Sequence, residues 1–157
     1  MIKQHLLDAR LALPEQPTAI TTEYEPALRT GNLLPISGQL PIVKGKLQYT
    51  GLVGKDVSVD EAAEAAGYAV LNALSVANSI VGNDLQDVIG CFRLTCFVAV
   101  AQGFSAIPKV ADGASQMLVK MLGDAGRGPR TAIGVAALPM NAPVEIELSL
   151  HLKGDMM

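Results

Sequence analysis

The clearest pattern in the chain is near its end. Val144, Ile146, Leu148, Leu150 and Leu152 alternate with Glu145, Glu147, Ser149, His151 and Lys153. A period of two puts one set on each face of a β-strand, so this strand lies with its apolar side on a core. A different period opens at Ser58. Ala62, Ala65, Ala66, Ala69, Ala73, Ala77 and Ile80 recur at helical spacing, and their small side chains suit a helix packed close to a sheet. Ser58 and Glu61 form a capping box, and Gly82 is a suitable stop. Glu64, Tyr68, Asn72, Ser75 and Ser79 give that helix a more polar side. Val88–Val100 reads as a central strand, in which Arg93 needs a partner or solvent. A second helix runs from about Pro108 to Leu122, with Val110, Ala114, Met117, Leu118 and Met121 on one side.

The rest is read from turns. Leu33–Ile36 is a strand running into Ser37-Gly38-Gln39, and Gly45 turns the chain back into a strand at Lys46–Tyr49. A Gly/Pro-rich loop, Gly123–Arg130, leads into a strand over Thr131–Leu138. The segment Pro139–Pro143 is read as a hairpin loop joining that strand to the last one. Residues 1–13 place Ile2, Leu6, Leu7 and Leu11 near helical spacing, a short amphipathic extension ended by Pro14 and Pro17. The order helix, β, β, helix, β, helix, β, β predicts an α+β fold with two main helices on one face of a mixed or antiparallel sheet.

Composition sharpens this picture. The 157 residues suit one domain, 1–157, and the 50% hydrophobic content exceeds what one small domain easily hides. Sister subunits are therefore expected to cover the open face of the sheet. The net charge of −3 gives no global attraction for phosphate backbones, so no nucleic-acid partner is expected. Cys91 and Cys96, five positions apart in one strand, would point to opposite faces, which argues against a mutual disulfide and for core packing. His5 and His151 are near neither cysteine, and no metal site is expected. Met1–His5 has no apolar leader run, and Asn72, Ser75, Asn78, Arg93 and Gln102 interrupt the apolar stretches. No membrane partner is expected, and the cytoplasm is the expected compartment.

Four blocks, in order, carry a family resemblance over roughly Tyr24 to Leu152. They are Tyr24-Glu25-Pro26-Ala27 with Gly31-Asn32-Leu33; Ile36-Ser37-Gly38-Gln39-Leu40-Pro41; the Ala-rich helix with Asn72-Ala73-Leu74; and Arg130–Pro139 followed by Val144-Glu145-Ile146-Glu147. The chain resembles the Rid/YjgF family, also called L-PSP endoribonuclease proteins, in a longer subgroup of about 155 residues. The resemblance implies a chorismate-mutase-like homotrimer with three clefts between subunits. It also implies hydrolysis of reactive enamines and imines to 2-oxo acids and ammonia, with no cofactor. It places the family's strand arginine on Arg130, its later glutamate on Glu145, its Ser-Gly pair on Ser37 and Gly38, and its early aromatic on Tyr24. Deaminating members usually carry cysteine where this chain has Ala132, which counts against deamination unless the backbone is what matters there. A helix position that is often Asn corresponds to Asp112.

The residues themselves define what each could do. Arg130 can hold a carboxylate through two parallel hydrogen bonds; its plain alternative is a surface arginine or an ion pair with a neighbouring subunit. Glu145 can activate water for attack on an iminium carbon, or be an ordinary solvated carboxylate like Glu147. Ser37 can hydrogen-bond substrate or water but has no base beside it for a nucleophilic role. Gly38 permits close backbone approach, or simply a bulge. Tyr24 can pack over a substrate, or be a buried aromatic. On paired strands around a loop centred at Asn141, Arg130 and Glu145 would be seven positions out of step, about 23 Å. A single site using both would then need two chains. Three functions follow in order: an imine or enamine deaminase acting on a small carboxylate metabolite, a non-catalytic 2-oxo acid binder, and a ribonuclease. The last is disfavoured by the acidic charge, the 4% aromatic content and the absence of a His pair.

Overall fold

The computed structural model describes residues 13–14, 23–82 and 85–154; the helix expected over residues 1–13 lies outside them apart from Leu13. Six strands and two long helices follow in order. They are β1 (Leu33–Gln39), β2 (Ile42–Val43), β3 (Lys46–Leu47), α1 (Val59–Val81), β4 (Val88–Ala99), α2 (Ile107–Leu122), β5 (Arg130–Val135) and β6 (Val144–Leu152). The main sheet has the order β1-β6-β4-β5. Strand β6 is antiparallel to both neighbours and β5 is parallel to β4. Strands β2 and β3 form a separate hairpin turned at Lys44 and Gly45, both with positive φ.

The topology explains the one-sided placement of the helices. The crossovers β1-α1-β4 and β4-α2-β5 step in the same direction across the sheet, so their shared handedness puts α1 and α2 on the same face. Strand β6 then enters the gap between β1 and β4. Its apolar set, Val144 to Leu152, is buried under the helices, as the alternation predicts.

Strands β5 and β6 are therefore not a hairpin. The loop through Met140 and Asn141, both at positive φ, carries the chain past β4 rather than folding it back. β5 is also shorter than expected, ending at Val135. The physical reason lies in the two strands themselves. β6 buries every second side chain completely and needs a neighbour on each edge, whereas β5 is only partly covered and serves as an edge.

Helix α1 has the expected capping box: Ser58 Oγ accepts from the Glu61 amide, and Glu61 accepts from the Ser58 amide. Its polar side is not all exposed. Asn72 is buried and donates to the carbonyls of Leu40 and Ile42, pinning the chain after β1. Ser75 is buried too and donates to the Pro14 carbonyl, whereas Ile80 is exposed. The helices meet where side chains are smallest. A Cβ at Gly113 of α2 would collide with the Ala63 carbonyl of α1, so only glycine allows this approach. Tyr49, at positive φ, and Tyr68 both donate to the Glu64 carboxylate, fastening the loop before α1 to the helix. These bonds hold Glu64 below its usual pKa and push the Tyr49 phenol up to about 12.

The cysteines depart from the expected alternation. β4 carries a bulge between Cys91 and Arg93, and the added residue shifts the register by one. Both thiols consequently face the core, and both are free. Their partners on β6, Leu150 and Ile146, are four residues apart, which sets the cysteines about 13 Å from each other, too far for a disulfide. Burial pushes Cys91 up to about 11 and Cys96 up to about 12, so neither is a thiolate at neutral pH.

Candidate functional site

The Ser-Gly motif lies where β1 breaks its pairing with β6. Ile36 pairs with Leu148, but the next paired residue is Gln39, with Ile146, leaving Ser37 and Gly38 in a bulge. Ser37 ties this bulge to the preceding segment: its Oγ donates to the Glu25 carbonyl at 2.7 Å and its amide to the Pro26 carbonyl at 2.8 Å. Tyr24, one residue before that anchor, is 44% exposed, so it is not a buried aromatic.

Gly38 makes room for Glu145. A Cβ on Gly38 would collide with Glu145 Oε1 and lie 2.9 Å from its carboxyl carbon. Glu145 begins the polar side of β6, on the face away from the helices, since Val144 and Ile146 are fully buried beneath the other face. It is half-buried, and that burial, helped by the neighbouring charge of Glu147, raises its pKa above the usual carboxylate range. A carboxylate that protonates more readily is a better base when ionised. Tyr24, Ser37, Gly38 and Glu145 thus share one end of the β1–β6 pair.

Arg130 and Ala132 stand elsewhere. They pair with Leu94 and Cys96 of β4, both core residues, so they face the helices from the sheet's edge. Arg130 Nη1 donates to Asp112 Oδ1 at 2.8 Å and to Ser115 Oγ at 3.0 Å, both on α2. The alternative of an ion pair holds, but within the chain. Ala132 has Cys96 beside it on β4, closer than the sequence suggests; that thiol is sealed from solvent and cannot serve as a nucleophile.

Through the sheet register, Arg130 aligns with Leu148 of β6, and Glu145 with Ile133 of β5. The two are two strands and three residues apart, about 14 Å, rather than the 23 Å expected from a hairpin. They also point to opposite faces. Within one chain they cannot hold the same small molecule.

Two residues escaped the sequence reading as partners of Arg130: Ser115 altogether, and Asp112 in that role. The signal was their i, i+3 spacing on the crossover helix that must lie over β5. On the open face, Arg93 Nη2 donates to Thr131 Oγ1 at 2.9 Å, meeting the expected need for a partner. Ser115 also lines a cavity of about 210 Å³ with Cys91, Leu94 and Arg127. A larger one, about 360 Å³, lies at the far end of the sheet between Leu85, Ile89, Leu122 and Lys153. Among the described residues, no three His, Cys, Asp or Glu side chains gather as a metal site, and no helix is long and apolar enough to cross a membrane.

Comparison with known proteins places this geometry in context. A family model described as YjgF/chorismate mutase-like, "putative endoribonuclease", matches residues 3–152. Protein TCP17 of Trypanosoma cruzi is 34% identical over 135 residues, 85% of this chain and 84% of its own length. The crystal structure of Atu1372 from Agrobacterium tumefaciens, a protein of unknown function, is 37% identical with a TM-score of 0.88, covering 97% of this chain and 92% of that one. A protein from Shewanella oneidensis MR-1 titled a "putative endoribonuclease" is 34% identical with a TM-score of 0.92, covering 97% and 99%.

Proposed function

Because the chain belongs to the YjgF/chorismate mutase-like family, we propose that it assembles as a homotrimer and hydrolyses small carboxylate-bearing imines in clefts shared between subunits. The observation that carries this reading is the division of the two groups: Glu145 lies on the open face and Arg130 on the helix face, about 14 Å apart. A second chain is needed to bring one against the other. Exposed Ile133 and Phe92, with the open face of the sheet, are a surface such a neighbour would cover.

In this mechanism Arg130 of one subunit holds the substrate carboxylate, and Glu145 of its neighbour removes a proton from water. Water oxygen bonds to the iminium carbon as the C=N π pair moves to nitrogen. Glu145 returns its proton to that nitrogen, the remaining carbon–nitrogen bond breaks and ammonia leaves, and the hydroxyl proton passes to the Glu145 carboxylate as the 2-oxo acid's C=O forms. Tyr24 packs over the substrate, and backbone groups near Ser37, at Gly38, and at Ala132 orient it. No cofactor takes part. The compartment proposed is the cytoplasm, and the domain is 1–157 as a unit.

The second reading is a metabolite-binding trimer that uses the same clefts without turnover. Ala132 in place of cysteine and the pairing of Arg130 with Asp112 favour it. Ribonuclease activity, which the name of the Shewanella protein raises, finds no support in the net charge of −3. The deciding experiment generates 2-imino acids with an amino-acid oxidase and follows their loss against semicarbazide trapping. Wild type should speed the loss, while Arg130→Ala and Glu145→Gln should not. No acceleration by wild type over a varied imine panel rejects deamination in favour of binding.

A further inference from the structure

Arg130 already has an anion. Asp112 Oδ1 is 2.8 Å from Nη1, and the guanidinium is one quarter exposed while the carboxylate is half exposed. Ser115 takes the second bond from the same nitrogen. The arginine is thereby fixed in direction before any ligand arrives, and its charge is matched by a carboxylate of the same chain. An incoming anion must share or displace Asp112. One further negative charge on the guanidinium is tolerable, since its donors form a fork able to serve two acceptors. A second would bring a third carboxylate to a single cation, with two like-charge repulsions to overcome.

We propose that Asp112 is a specificity-determining residue, a resident competitor that restricts the Arg130 site to monocarboxylates and holds them weakly. The inference rests on the reading that Arg130 binds the ligand carboxylate, and it narrows the substrate class of that site. Asp112 need not touch the reacting atoms; it acts through Arg130. Ser115 keeps its hydrogen bond when Asp112 is neutralised, so Arg130 stays oriented. Asp112→Gln would lengthen the side chain, but Asp112→Asn is isosteric and removes only the charge.

Ligand-observed NMR titration of wild type, Asp112→Asn, Asp112→Ala and Arg130→Ala with three probes tests this. The probes are 2-oxobutanoate (one carboxylate), 2-oxoglutarate (two) and 2-butanone (none). Asp112→Asn should strengthen 2-oxobutanoate binding roughly five- to tenfold. It should strengthen 2-oxoglutarate by more, and leave 2-butanone unchanged. Asp112→Ala should follow the same order, so one poorly folded variant does not decide the matter; melting curves identify it. Equal changes for the charged and neutral probes, or no gain for either acid, would overturn the role of Asp112. Wild type and Arg130→Ala binding 2-oxobutanoate equally would instead overturn the Arg130 reading beneath it.

Discussion

A methyl group on Gly38 would fall on the Glu145 carboxylate, so Gly38→Ala must drive that side chain out of the bulge. The backbone there is not in a left-handed conformation, so alanine itself is unstrained. The expected result is selective: imine hydrolysis falls by the order of a hundredfold, as for a catalytic group displaced by about 1 Å, while the melting temperature changes little. Steady-state kinetics beside a melting curve checks both. Glu145 also gives a pH signature. Its pKa is raised by burial first and by Glu147 second. A base works ionised, so activity should climb with pH through this raised value. Glu147→Gln should move that climb to lower pH, though not to the ordinary carboxylate range, because burial persists. Stability has the opposite sense. The raised value contributes stability below the unfolded pKa, and this is lost as pH rises through the folded one. Glu145→Gln should therefore gain in melting temperature over wild type as pH rises from acid to neutral. The approach of Glu145 to Gly38 exists only once β6 pairs with β1, whereas the bulge, one of the two readings of Gly38, is local and was legible. Asp112 as the partner of Arg130 was not, because that contact exists only after α2 crosses over β5.

The helices and strands hold these groups in place through close contacts that tolerate little change. Gly113 is the tightest point between α1 and α2. Alanine there would gain about 1 kcal/mol in helix propensity, but its methyl meets a backbone carbonyl that no rotamer change can move. Gly113→Ala should cost about 2 kcal/mol net, lowering the melting temperature by about 6 °C. An unchanged melting curve would show that the helices can part freely. At this level the sequence was readable wherever periodicity was strong. The capping box, both main helices, β4 and the buried face of β6 follow from it. The hairpin between β5 and β6 failed because a short Pro-flanked loop looks the same whether the chain turns back or passes its neighbour. The better clue was burial demand: five alternating large apolar residues in β6 against alanine and glycine in β5. The cysteines were misplaced because one bulge inverts every face beyond it.

Assembly is where the separate pieces must combine. One chain carries Glu145 against Gly38 on its open face and Arg130 against Asp112 under its helices, with the width of two strands between them. Under the proposed mechanism, neither half suffices for hydrolysis. In a closed ring, each cleft would take Arg130 from one subunit and Glu145 from the next. Mixing two inactive variants, Arg130→Ala and Glu145→Gln, and refolding them together tests this directly. Every mixed trimer then holds one cleft with both native residues. Activity should return to roughly a quarter of wild type for random equal mixing in a ring of three, while either variant refolded alone stays inactive. If co-refolded mixtures that sedimentation shows to be mixed oligomers remain inactive, the two residues do not meet across subunits, and the shared cleft is wrong.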